Sequence, residues 1–305
     1  MPQTHNTISI ALLLGFFLAL PMGCFFVTGT GITVVEDFPH DRLGVGDEFM
    51  SSQFMMVAQH LAALLSERPG ITDLYFVGFG GDAQQSVFMN EVRYAKTLFE
   101  RRFDTQGRSI ALINNRQTAA DVPLASFTNL RATLNHLGHV LNPEEDILFL
   151  LLTSHGLPNR TLAVHYEPLA LRQISSTDVS RILDESGIKW RVVVVSACFS
   201  GAFIDALKND HTLVITASAA DRPSFGCEDG ADLTYFGEAF FQDQLNQETD
   251  FLTAFEGTEV LIRMREEAEH LEASQPQIAS SPAIIEKLRQ FAARLPAHRK
   301  NLNPS

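Results

Sequence analysis

Five apolar runs punctuate this chain: DLYFVGFG (73–80), SIALIN (109–114), DILFLLLTS (146–154), WRVVVVSA (190–197) and HTLVITAS (211–218). A strand with one face in water alternates polar and apolar positions. A strand that reads apolar almost throughout is covered on both faces, the condition of a mainly parallel sheet sandwiched between helices. The intervening segments supply those helices. Phe88, Val92, Ala95 and Phe99 recur at helical spacing, as do Leu130, Leu134, Leu137 and Leu141, while Val179, Ile182 and Leu183 lie between a Ser-Ser-Thr cap and Gly187. Further helices are expected near 232–246 and 250–272, and Pro282 starts a last one through Leu295. Strand and helix alternating in this way specify an α/β fold with crossover connections.

Residues 8–35 carry no charged side chain, and 28 residues of helix exceed the roughly 30 Å hydrocarbon thickness of a bilayer. The chain is therefore expected to begin with a membrane anchor or signal segment over 1–35, an uncleaved transmembrane helix being the favoured form. A tether with an amphipathic helix (Phe54, Val57, Leu61, Leu64) follows over 36–70, then the α/β domain over 71–248 and a C-terminal helical extension over 249–305. Neither flank carries a basic cluster; the free amino terminus on one side of the run, against Glu36, Asp37 and Asp41 on the other, leads one to expect the bulk of the chain outside the cytoplasm, in the periplasm if the source is bacterial. A formal net charge of −13, with basic residues clustered only at His298, Arg299 and Lys300, excludes a nucleic-acid surface.

Three cysteines are too few for a disulfide framework or a thiolate metal site, so each is judged as a separate thiol. His136 and His139 lack a third ligand of fitting spacing, and Phe79-Gly80-Gly81-Asp82 lacks the glycine and lysine pattern of a nucleotide loop. No metal and no organic cofactor is expected.

In open α/β sheets the chemistry gathers where strands end at their carboxyl side. One run ends in Thr153-Ser154-His155-Gly156 and another in Ser196-Ala197-Cys198-Phe199-Ser200-Gly201, with a single helical crossover between them. If the two strands are neighbours, an imidazole and a thiol emerge side by side. A cysteine attacks as its thiolate, which a nearby imidazole or a helix N-terminus favours. A helix beginning at Ser200, with Phe203, Ile204 and Leu207 on one face, would supply the second. Gly156, without a side chain, lets its N–H approach a substrate carbonyl and form an oxyanion hole with the Cys198 N–H.

The spacing echoes the caspase signature, in which Gln-Ala-Cys-x-Gly follows a histidine about 50 residues upstream; here His155 precedes Cys198 by 43 residues. Thr-Ser-His-Gly, Ser-Ala-Cys-Phe-Ser-Gly and Ile215-Thr216-Ala217-Ser218-Ala219-Ala220 more closely resemble the legumain-like cysteine peptidases, family C13, over about 72–245. That family includes the GPI-transamidase catalytic subunit, and the likeness is greatest to bacterial members with an N-terminal hydrophobic segment. The resemblance implies a caspase-like fold, His155 as general base, Cys198 as nucleophile, and Gly156 and Cys198 as the oxyanion hole. It also implies that Ser218 and Ala219 line the substrate channel through their backbone. Gln85 stands where the family has an Asn that orients the histidine, Val87-Phe88 where it has Arg-His, and Ser196 where it has an acid, so asparagine specificity is not implied.

Around the site, Arg222 would suit an acidic substrate side chain, Glu228 or Asp229 a basic one, and Asp82 would steady His155. Cys227 reads as a passive thiol. The expected partner is a peptide or protein substrate. A transamidase using the same acyl-enzyme, and a catalytically silent membrane-anchored scaffold, are the rival readings.

Overall fold

The computed structural model of the chain describes residues 27–28, 31–32, 40–228 and 230–295, with side chains from residue 51 onward. Strands β1 (Val27–Thr28) and β2 (Gly31–Ile32) pair antiparallel, Val27 opposite Ile32. These four residues close the apolar run as a ladder and not as the expected helix; the rest of that run lies outside the described residues. Among the described residues no helix is long and apolar enough to cross a membrane.

Gly46–Ser305 forms one compact unit, separate from Met1–Val45. Helix α1 (His40–Ala62) buries Val57 and Leu61. The chain then runs through β3 (Leu74–Gly80), α2 (Val87–Arg102), β4 (Ser109–Ile113), α3 (Phe127–Val140) and β5 (Ile147–Thr153). A ribbon of two-residue strands, β6 (Gly156–Leu157), β7 (Thr161–Leu162) and β8 (Ile174–Ser175), leads into α4 (Ser176–Glu185) and β9 (Trp190–Ser196). A 3₁₀ turn over Ser200–Phe203 and the single turn α5 (Ile204–Leu207) precede β10 (Thr212–Thr216). The remaining elements are α6 (Tyr235–Gly237), extended by a π-helical stretch over Glu238–Gln244, then α7 (Phe251–Ala268), β11 (Gln277–Ala279) and α8 (Pro282–Arg294).

The six-stranded sheet has the order β11-β10-β9-β5-β3-β4, parallel except for β11. Successive residues of each strand feed opposite layers, as the pleat requires. Leu74, Phe76, Phe149, Leu151, Val192 and Val194 pack with α2, α7 and α8; Tyr75, Val77, Leu148, Leu150, Val193 and Val195 pack with α1, α3 and α4. The first layer is rich in phenylalanine, with Phe99 and Phe149 at a centroid distance of 4.2 Å and Phe251 stacked 6.2 Å from Phe99.

Two boundaries differ from the expected ones. The stretch 249–295 is no appendage: β11 extends the sheet, and Phe251, Phe255, Ile284 and Phe291 are buried in the same core. Residues 36–70 likewise do more than tether, since Gln53 Oε1 accepts from the Leu124 N–H at 2.8 Å and is buried there.

Candidate active site

From β3 the chain steps outward to β4, and from β5 it builds the other way. Loops leaving the carboxyl ends of such a pair diverge and open a crevice. Beside it, the ends of β5 and β9 are register partners, Thr153 opposite Ser196, and the Ser154 N–H donates to the Ser196 carbonyl at 3.4 Å. His155 and Cys198 each follow two residues later, so they leave the sheet side by side, as their spacing led one to expect.

The His155 ring packs T-shaped against that of Phe88, centroids 5.0 Å apart at 81°, and makes no hydrogen bond among the described residues. The half-buried Cys198 thiol donates to the Ser224 carbonyl at 3.3 Å and accepts from the Ser224 N–H at 3.2 Å. Phe199 turns the chain away with φ of 55°, a left-handed conformation costly for a side chain of this size. Its N–H bond to the Arg222 carbonyl, 2.8 Å, holds that turn.

A Cβ at Gly156 would sit 1.8 Å from the Cys198 carbonyl oxygen, so glycine is required first by the packing of the two main chains and only then by any substrate. Ala163 N–H donates to His155 O, which makes Gly156 and Leu162 the non-hydrogen-bonded pair of the β6–β7 ladder. The Gly156 N–H therefore points away from β7, and the Cys198 N–H has no partner among the described residues. Two unspent donors stand on touching backbones beside a thiol.

Several expected roles are corrected. The turn at Ser200 is 3₁₀ and its first N–H groups are spent: Ser200 N–H on Ser218 Oγ at 3.2 Å, Gly201 N–H on Ser218 O at 2.8 Å. It offers the sulfur no free helix terminus. The Ser218 N–H is taken by Ser200 Oγ and the Ala219 N–H by Ser274 O, so neither donor is left for a substrate. Arg222 is paired with Glu272 and lies near Asp221. Asp82 does not reach His155; it caps its own turn through Gln84 N–H and faces His165 Nδ1 at 3.8 Å. Gln85 makes no bond to His155 either, its Oε1 being buried and unpartnered. Asp229 lies outside the described residues.

Glu228 does face a cavity of about 340 Å³, lined also by Gln84, Gln85, Asn90 and Asp232 and, among the described residues, by no lysine or arginine. A larger one, about 490 Å³, borders the amino end of β4 near His60 and Gly107, away from the thiol. Cys227 is a free thiol whose burial, together with Cys198 and Glu228 nearby, pushes its pKa up and so favours the protonated form. Among the described residues no cluster of His, Cys, Asp or Glu could hold a metal ion. Glu91 had not stood out, and Phe88 was marked by helical periodicity and by standing, with Val87, where the family has Arg-His, not as a neighbour of His155.

Residues 129–280 match the model of the peptidase C13 family. No curated protein matches the chain. The crystal structure of Caspase-1 from Spodoptera frugiperda is similar at 10% identity and a TM-score of 0.48, covering 71% of this chain and 94% of that one.

Proposed function

Because the chain belongs to the legumain-like peptidase C13 family, we propose that it is a cysteine endopeptidase with Cys198 as nucleophile and His155 as general base and acid. The observation that carries this reading is the pairing of the β5 and β9 ends, which sets on adjacent strands an imidazole and a thiol beside two backbone donors, the imidazole and both donors without a partner among the described residues. His155 takes the Cys198 proton and the sulfur attacks the peptide carbonyl, forming an S–C bond. The tetrahedral oxyanion accepts from the Gly156 and Cys198 N–H groups. His155 then gives its proton to the departing amine, leaving a thioester. Water, deprotonated by the same imidazole, releases the acid and restores the thiol.

For this to begin, the thiol rotates from the Ser224 carbonyl toward His155. The cavity beside Glu228 and Asp232 suits a substrate side chain that is basic or carries an amide, since its lining is mostly polar and, among the described residues, without cations. The apolar run over 8–35 would hold the peptidase at a membrane, with the catalytic unit outside the cytoplasm.

The test uses the full chain in detergent and a peptide library varied at the residue before the scissile bond. Cleavage abolished by both Cys198→Ala and His155→Ala supports the dyad. Cleavage surviving in Cys198→Ala sinks it.

A further inference from the structure

Resting on that reading, we propose that Glu91 is a positioning residue for both halves of the dyad, tying the ends of β5 and β9 together from α2. Glu91 is 0% exposed, and its neighbours are hydroxyls. Thr234 donates to Glu91 Oε2 through Oγ1 at 2.5 Å and through its N–H at 3.3 Å. Ser196 Oγ lies 3.2 Å from Thr234 Oγ1, and the Ser196 and Thr153 hydroxyls face the same carboxyl. These two are the register pair that ends the strands, one standing two residues before Cys198, the other two before His155.

The same helix face does a second job. Phe88, three residues before Glu91 and on its side of α2, sets its ring against His155. One rigid helix thus sets a ring against the imidazole and a carboxyl beneath the strand ends, bonded to Thr234 and through it to Ser196. The fit is close, since a Cβ at Gly237 would lie 2.2 Å from Glu91 Oε2.

A buried acid is an expensive way to fill that space. Burial disfavours the charged form, and here it pushes the carboxyl up, with the Thr234, Ser196 and Thr153 hydroxyls offsetting part of the shift. Glu91 Oε1 and the Thr153 hydroxyl still close no hydrogen bond. A purely packing role would be met by an apolar side chain at less cost; convergence on the strand ends that carry the dyad points to placement.

The full chain and its Glu91→Ala, Glu91→Gln and Thr234→Val variants are compared for kcat and KM on a cleaved peptide, for iodoacetamide alkylation of Cys198 at pH 7, and for Tm. Glu91→Ala is expected to lower kcat by up to about 100-fold with KM little changed, because small displacements of reacting groups cost that much, and to slow alkylation. Glu91→Gln, which matches the protonated acid in shape, restores most of both. Thr234→Val, with an intact carboxyl, shows a smaller loss and decides the matter if Glu91→Ala does not fold. Folded variants with a lowered Tm but unchanged alkylation overturn the proposal, as does a Glu91→Gln variant as impaired as Glu91→Ala. Alkylation is read without any substrate, so if the wild-type chain cleaves nothing, the peptidase reading fails while Glu91 is still judged.

Discussion

Cys198 and Ser224 grip one another twice, the thiol donating to the Ser224 carbonyl at 3.3 Å while the Ser224 N–H points at the sulfur at 3.2 Å. The carbonyl suits only the thiol, whereas the N–H suits the thiolate better. Hydrogen bonds to charged groups are worth about 1.5–3 kcal/mol. Ser224→Pro, which deletes that N–H, should therefore slow iodoacetamide alkylation of Cys198 at pH 7 by about tenfold or more. An unchanged rate would show that this N–H does not stabilise the anion.

The two described cysteines should label in a fixed order. Burial, Cys198 and Glu228 all push the Cys227 thiol toward its protonated form, and only the thiolate reacts. Peptide mapping after brief alkylation at pH 7 should find the label on Cys198; faster labelling of Cys227 would contradict the assignment of the reactive thiol.

Gly156→Ala should be damaging on two measures at once. The added methyl group meets the Cys198 carbonyl oxygen at 1.8 Å, so backbone must move on one strand end or the other. Such overpacking typically costs about 1–3 kcal/mol, and it separates the two N–H groups proposed to hold the oxyanion. Tm and peptide cleavage should both fall; full activity would remove Gly156 from the oxyanion site.

Specificity should follow the acids and not Arg222. The exposed Arg222–Glu272 pair is of a kind worth about 0–1 kcal/mol, so Arg222→Ala should leave cleavage and Tm nearly unchanged. Replacing Glu228 and Asp232 together with alanine should raise KM for peptides with Lys or Arg before the scissile bond more than for those with Asn or Gln. Equal effects on all four would show that the cavity does not read charge.

Acid should weaken α4 through Asp178. Burial alone would raise this carboxyl, but hydrogen bonds from Arg172, Ser175 and Arg181 hold it well below the usual carboxylate range. A depressed folded-state value stabilises above the unfolded value of about 3.9 and is lost as pH falls below it. The Tm gap between the wild-type chain and Asp178→Asn should therefore narrow progressively as pH falls from about 5 and vanish only once the pH drops through the depressed folded-state value. A gap that does not narrow between about pH 5 and pH 2 would mean the carboxylate's charge contributes nothing.

How far the sequence could be read depended on the range of each interaction. All five apolar runs became parallel strands within a residue or two of their expected ends, because burial on both faces leaves a purely local mark. The His155 and Cys198 strand ends were legible for the same reason, each motif closing its own strand. What stayed hidden was settled across long separations. Glu272 claims Arg222 from 50 residues away, and Thr234 claims Glu91 from 143. A single glutamate in an amphipathic helix reads as a solvated charge until the fold lays Thr234 against it. Strands of two or three residues, such as β6 and β11, carry no periodicity from which to be found.

The strand order has one more consequence. With β9 and β5 third and fourth of six, both reacting groups are mounted on the innermost pair of the sheet. Fraying from either margin must release two strands before it reaches them, and openings of that depth approach the free energy of global unfolding. Amides within 148–152 and 192–195 would thus be among the last to trade hydrogen for deuterium. The thiol is carried by the part of the molecule slowest to come apart, while the loop that grips it hangs from the looser outer side.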